Sequence, residues 1–427
     1  MLLRALYRKS ARALGARRQM TTPGSRRRVD RAGLLLAVTL AGLAMLGPFS
    51  IDTYLPSFPA ISRDFGVTTL ELQQTLSVYL ASFAVMTLFH GTLSDSFGRR
   101  PVILTGLVIF SLASIGCAFT QSFGQLLFFR AAQGLSAGVG MVVGRAIIRD
   151  SFEGHAAQRL MSLVTMIFGL APAIAPVIGG WLQSAFGWHS VFVFLALYGA
   201  LLFLVCLRRL PETLPAPARQ PFALRPLAKN YLKLAGSIRL LLLSTAITLN
   251  FCGFFIYIVS APAVIYNLLG LNENQFAWLF VPGISGVMIG AFLSGRLAGR
   301  ISPQRTVKIG YIIMFCAAAF NLLYSGFFEP ALPWTVLPVM CYTTGMALAM
   351  PSVTLIALDL FPRNRGLASS LQGFEQSFLN AIVAGVVSPL LSRADIALAL
   401  GMAGLLLSGW VSWMIYLHLE SKASSHA

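Results

Sequence analysis

The sequence predicts an all-α polytopic membrane protein, with twelve transmembrane helices in two pseudo-symmetric six-helix bundles. Three observations predict it. Apolar runs of about twenty residues recur along nearly the whole chain, each long enough to cross a hydrocarbon core about 30 Å thick. The chain is 56% hydrophobic and only 11% charged, against roughly 25% charged in ordinary globular proteins, and its mean hydropathy is +0.75. One long polar interruption divides the runs into two sets of six.

Inside a bilayer every backbone group must pair within its own segment, so these runs are helices. The alternating pattern of an outer-membrane barrel is absent. The spacing predicts spans over 32–58, 70–91, 101–120, 126–148, 160–183, 189–208, 239–261, 275–296, 307–327, 332–357, 366–391 and 396–418. The organisation is a basic arm (1–31), an N-terminal bundle (32–208), a linker (209–238), a C-terminal bundle (239–418) and a tail (419–427). The linker carries Pro211, Pro215, Pro217, Pro221 and Pro226 among basic residues.

The two halves echo each other. Gly91-Thr-Leu-Ser-Asp95 follows the second span and Gly295-Arg-Leu-Ala-Gly299 the eighth, each leading into a basic turn. Only the first copy holds an acid. Such a repeat implies a pseudo-symmetric transporter with its site between the halves.

The net charge of +18 raises the question of a nucleic-acid partner, and its distribution answers it. Ten of the 32 basic residues precede the first span, and most others fall in every second loop, with Arg63 and Arg393 as exceptions. That is the positive-inside asymmetry of a membrane protein. It places both termini and the linker in the cytoplasm of a bacterial inner-membrane protein, and nucleic acid is not an expected partner. The Arg-rich residues 1–31 leave three readings open: a cytoplasmic arm, an upstream start with Met20 as the true one, or an organellar presequence. No cleavable signal peptide is expected.

The five cysteines (Cys117, Cys206, Cys252, Cys316, Cys341) all sit in apolar segments without a CxxC spacing. They read as small core residues, with no disulfide framework and no metal site. No phosphate-binding GxxxxGK[ST] run is present, so neither a nucleotide nor another cofactor is expected. No catalytic triad supports an enzyme.

Several motifs occur in order. Gly91-Thr-Leu-Ser-Asp95-Ser-Phe-Gly98-Arg99-Arg100-Pro101 follows span two, Arg130-Ala-Ala-Gln133-Gly134 and Arg145-Ala-Ile-Ile-Arg149-Asp150 lie on span four, and Pro172-Ala-Ile-Ala-Pro176-Val-Ile-Gly179-Gly180 lies on span five. Together these resemble the signatures of the major facilitator superfamily, the last being its antiporter motif. Asp52-Thr-Tyr54-Leu-Pro56 and Gly366-Leu-Ala-Ser-Ser370 resemble its bicyclomycin-resistance (Bcr/CflA) subfamily of drug:proton antiporters. The resemblance covers about residues 32–418 and implies the major facilitator fold, a monomer, and small-molecule substrates exchanged for protons.

On that resemblance, the Gly91, Asp95, Gly98, Arg99 and Arg100 loop is a charge latch between the halves, with Arg149 and the start of span eleven near Gly366 as the expected partners of Asp95. Its plainer reading is a solvated turn that only sets topology. Arg130 is an intramembrane arginine, costly unless it faces a cavity or a carboxylate; a snorkelling interfacial arginine is the alternative. Asp52, flanked by Pro48 and Pro56, is the candidate proton carrier, against a helix-end carboxylate open to the outside. Pro172 and Pro176 bend one helix face, and Gly179 and Gly180 allow close contact. Substrate-cavity candidates are Arg130, Tyr54, Asn250, Tyr257, Glu375 and Gln376. Gln376 matches the subfamily pattern, whereas an apolar residue is usual at Glu375, which is either a second cavity acid or the partner of a neighbouring helix. The expected function is proton-driven export of small organic compounds; the alternatives are an exporter of one endogenous metabolite and, more distantly, a non-transporting sensor or scaffold.

Overall fold

In a computed structural model, residues 31–152, 154–362 and 364–425 are described, so most of the basic arm lies outside them. Among the described residues, twelve helices are long and apolar enough to span a membrane: α1 (Leu34–Phe65), α2 (Thr69–Phe97), α3 (Arg99–Ala118), α4 (Phe123–Ser151), α5 (Arg159–Phe186), α6 (His189–Arg209), α7 (Ile238–Val259), α8 (Glu273–Leu297), α9 (Pro303–Phe327), α10 (Leu337–Asp359), α11 (Arg365–Leu391) and α12 (Asp395–Lys422). They match the expected spans in number and order. No strand occurs among the described residues. The exposed surface is rich in large apolar side chains, from Leu112 and Phe128 to Phe327 and Leu390, as a lipid-facing surface requires.

The packing repeats between the halves. In the first, α3 packs on α6 and α4 while α2 packs on α4; in the second, α9 packs on α12 and α10 while α8 packs on α10. Small residues set the separations. A Cβ at Gly140 would overlap the Leu43 carbonyl, and one at Gly290 that of Thr344, so backbones approach as side chains elsewhere would forbid.

Successive spans alternate in direction, which puts the 209–238 linker and the ends of α1 and α12 at one end of the molecule, here the linker end. The opposite end is the far end. Several spans are broken at the level of the site. The α1 helix stops at Asp52 and resumes after a 3₁₀ turn, Leu55–Ser57, which contains Pro56. The α4 helix is interrupted at Gly138, and α5 at Leu170 before Pro172. A π-helical stretch, Ala263–Leu268, follows α7, and another, Val383–Val387, lies within α11.

Three expectations change. The motif after span two is mostly helix: α2 runs to Phe97, and only Gly98, at φ +101°, makes the turn. The linker holds a helix, Leu224–Ala235, because Leu227 and Leu234 form a buried stripe on an otherwise exposed segment. The last helix continues to Ser425 through the expected tail. The cysteines divide as well: Cys117, Cys206 and Cys252 are buried, whereas Cys316 and Cys341 are exposed. In a bilayer the outside of a bundle is as apolar as its inside, so small residues settle on either.

Candidate functional site

Two polar assemblies stand out, one within the N-terminal bundle and one at the linker end. The first surrounds Arg130, which is fully buried. Its guanidinium lies between two aromatic rings, 4.9 Å from the centroid of Tyr54 and 4.4 Å from that of Tyr79. Nη1 donates to the Ser50 carbonyl at 3.0 Å and to Gln133 Oε1 at 2.9 Å, and Gln133 in turn donates to Ser114 at 2.7 Å. The break in α1 turns Tyr54 inward, where its hydroxyl meets that of Thr75 at 3.0 Å. Arg130 Nε and Nη2 have no partner. Ring faces and carbonyl oxygens thus hold a cation that hydrocarbon would otherwise exclude.

Asp52 lies two residues beyond the carbonyl that holds Arg130 and is only 3% exposed. Among the described residues no ion pair or hydrogen bond joins its carboxylate to Arg130. Tyr79 and Gln133 complete the assembly, and neither was a sequence candidate. Neutral side chains in an apolar helix carry no signal comparable to a buried charge.

The second assembly is the motif turn. Arg99, 7% exposed, pairs with Asp95 at 2.5 Å and Asp150 at 3.1 Å, and donates to Ser94 Oγ at 2.7 Å. The expected partners of Asp95 are therefore corrected: its carboxylate meets Arg99 of its own motif. Arg149 is exposed, and a Cβ at Gly366 would meet nothing within 4 Å. The bundles do not meet there in this conformation. Arg100 donates to the Leu207 carbonyl at 2.7 Å, and Gly91 sits inside α2 facing Val142.

The bundles do meet at the far end. Gln73 donates to Ser388 at 3.0 Å, Gln74 to the Gly385 carbonyl at 2.8 Å, Ser77 to the Ala381 carbonyl at 2.9 Å, and Tyr266 to the Pro56 carbonyl at 2.7 Å. The antiporter motif takes part: a Cβ at Gly179 would overlap the Thr53 carbonyl of α1, and one at Gly180 the Glu273 carbonyl of α8. Pro176 lies inside the helix one turn before, and Pro172 at its start. Among the described residues, no hydrogen bond joins a span of one bundle to a span of the other in the linker-end half. The linker helix adds a bridge there, with Tyr231 donating to the Leu88 carbonyl of α2 at 3.0 Å while it packs on α11, and α2 and α11 pack directly where Thr87 faces Gly373.

The remaining cavity candidates separate. Tyr54 and Arg130 are inside the N-terminal bundle. Asn250 donates to Tyr311 at 2.9 Å, and Asn321 to Tyr257 at 2.7 Å. All four side chains are therefore committed within one bundle here, rather than lining a space between the two. Glu375 and Gln376 are half-buried on α11. Glu375 accepts from Thr245 of α7 at 2.6 Å, and its second oxygen has no partner.

Known proteins are similar to this chain in sequence and in fold. The family model for the Major Facilitator Superfamily matches residues 40–384. A bicyclomycin resistance protein homolog of Haemophilus influenzae is 29% identical over 364 residues, covering 84% of this chain and 90% of the relative. Multidrug resistance protein MdtL of Shewanella oneidensis is 30% identical over 368 residues, 86% of this chain and 92% of the relative. A solved bacterial homolog of the human lysosomal transporter Spinster, inward-facing and occupied, superposes with a TM-score of 0.68 at 18% identity, covering 93% of this chain and 98% of that one. A helical membrane protein with these relatives is a transporter and not an enzyme. The chain belongs to the Major Facilitator Superfamily.

Proposed function

We propose that this protein exports small organic compounds, antibiotics among them, across the bacterial inner membrane in exchange for protons. The observation that carries the reading is Asp52 beside Arg130, both buried, in a bundle whose spans, among the described residues, hydrogen-bond to those of the other bundle at the far end only. The names of the resistance-protein relatives support a drug-like substrate class. With both termini and the linker in the cytoplasm, the conformation is inward-facing, and alternating access closes the linker end as the far end opens.

In this scheme Asp52 takes a proton from the far side. Ionised, it attracts the guanidinium of Arg130, whose Nε and Nη2 are free; protonated, it releases Arg130 to the Ser50 carbonyl and Gln133. The guanidinium shift moves the break at residues 53–57 of α1, which packs against α5. Substrate enters between the bundles from the cytoplasm or inner leaflet as the proton leaves. Glu375 and Gln376 on α11 are the groups placed to meet it, and the proton gradient is the energy source.

The test is substrate or dye efflux from a pump-deficient host with and without a protonophore, followed by uptake into proteoliposomes under an imposed pH gradient. Uphill movement that collapses with the gradient supports the reading; uphill movement indifferent to it refutes proton exchange. Orientation is tested separately with Gln220→Cys. Labelling of that thiol in intact cells by an impermeant reagent would reverse the topology.

A further inference from the structure

The hydrogen bonds at the far end are built on a defect in α11. Residue 389 is proline, so it has no N–H to give the Gly385 carbonyl its ordinary bond four residues on. The helix widens to a π-turn over Val383–Val387 just before it. A carbonyl left open in a bilayer needs a donor from elsewhere, and Gln74 of α2, in the other bundle, supplies one at 2.8 Å. One turn on, Ser77 donates to the Ala381 carbonyl at 2.9 Å. Gly385 makes the approach possible, because a Cβ there would lie 2.5 Å from Ser77 Oγ.

We propose that Gln74 and Ser77 are the latch of the far-end gate, with Gln74 fastened to the Gly385 backbone carbonyl that Pro389 and the π-turn leave open. This rests on the alternating-access reading given above. Both partners are replaceable by water. Once the far end opens to solvent, the carbonyl and the two side chains are hydrated, so release costs far less than exposing bare backbone to lipid. Gln73 beside them is 2% exposed and carries an unpartnered Oε1; turning its amide over only exchanges which atom is unpaired. The closed gate thus contains one buried group that opening would satisfy, which keeps the latch from being permanent.

The experiment measures the gate itself, in the full-length protein without substrate. Nitroxides at Phe119→Cys and Phe328→Cys, exposed at the far ends of α3 and α9, report bundle separation by double electron–electron resonance, with Cys316 and Cys341 replaced by serine. Gln74→Leu is expected to raise the far-end-open population about tenfold, as loss of the bond and of the carbonyl's donor implies, and Ser77→Ala to raise it less. Pro389→Ala restores a backbone donor for Gly385, so in that background Gln74→Leu should shift the population about threefold or less. An unchanged distance distribution in Gln74→Leu, or an equal shift with and without Pro389→Ala, overturns the proposal. Because the readout is distance, it stands even if the exported compound or the coupling ion is other than proposed; failure of the transport assay alone leaves the latch intact.

Discussion

The carboxylate of Glu212, the residue just after the linker's first proline, accepts from the backbone N–H of Arg99 at 3.0 Å, and its other oxygen accepts from that of Arg100 at 3.2 Å. It caps the first turn of α3, where the orphan N–H groups and the helix dipole favour an anion. Arg219 lies 3.9 Å away, Thr213 donates to Asp150 at 3.0 Å, and the Gln220 N–H to the Asp95 carbonyl. The linker is thus docked on the motif turn of the N-terminal bundle.

Gly98 is the position that admits this docking, so Gly98→Ala should undo it. The residue sits at φ +101°, and a Cβ would lie 2.5 Å from Glu212 Oε2. Strain and overlap together should cost about 2 kcal/mol, while Glu212→Gln should cost about 1 kcal/mol, less at high salt. Limited trypsin digestion of the purified protein checks this: cleavage near Arg219 should accelerate in both variants. Unaltered digestion would show that the linker is held elsewhere.

Arg99 and Asp95 should differ in weight. Asp95 is 46% exposed, and without it Arg99 keeps Asp150 and Ser94. Asp95→Asn should therefore lower stability by less than about 1 kcal/mol. Arg99→Met leaves two carboxylates facing each other around a buried site and should cost roughly 2 kcal/mol or more. Thermal unfolding in detergent distinguishes the two; equal losses would mean that Asp95 carries the contact.

Asp52 and Arg130 give the test of coupling. Asp52→Asn should abolish uphill transport under a pH gradient yet leave exchange of labelled substrate measurable, since rocking itself does not consume the proton. Arg130→Lys should slow both by about tenfold or more. A lysine cannot lie flat between the rings of Tyr54 and Tyr79 while donating to Ser50 and Gln133. If Asp52→Asn still concentrates substrate, Glu375 becomes the carrier to examine.

Much of this was legible from the chain alone. Twelve spans follow from hydropathy, and the irregularity of α5 from Pro172 and Pro176. Asp52 and Arg130 were visible because a charge inside an apolar run has no ordinary explanation. What stayed hidden are pairings set by distance across the fold. Nothing local in the linker marks Glu212 as the cap of α3, and Gln74 meets the carbonyl exposed by Pro389 across a separation of 311 positions in the chain. The pairing of Asp95 stayed hidden for the same reason: the turn at Gly98, between the end of α2 and the start of α3, brings Arg99 back against Asp95 in this conformation. The inward commitment of Asn250 and Tyr257 likewise depends on where α9 lies.

Gly179 and Gly180 are neighbours that meet different halves of the molecule: one touches the backbone of α1 in its own bundle, the other the backbone of α8 across the gate. A mutational survey should therefore separate them by phenotype. Gly179→Ala strikes a contact that exists throughout the cycle, and its carriers should lose the protein itself, seen as low abundance in the membrane. Gly180→Ala strikes a contact that exists only while the far end is shut, and its carriers should hold normal amounts of a protein that no longer cycles. Consecutive codons would thus report one on biosynthesis and the other on turnover, and abundance profiling set beside an efflux measurement would read the boundary between the two.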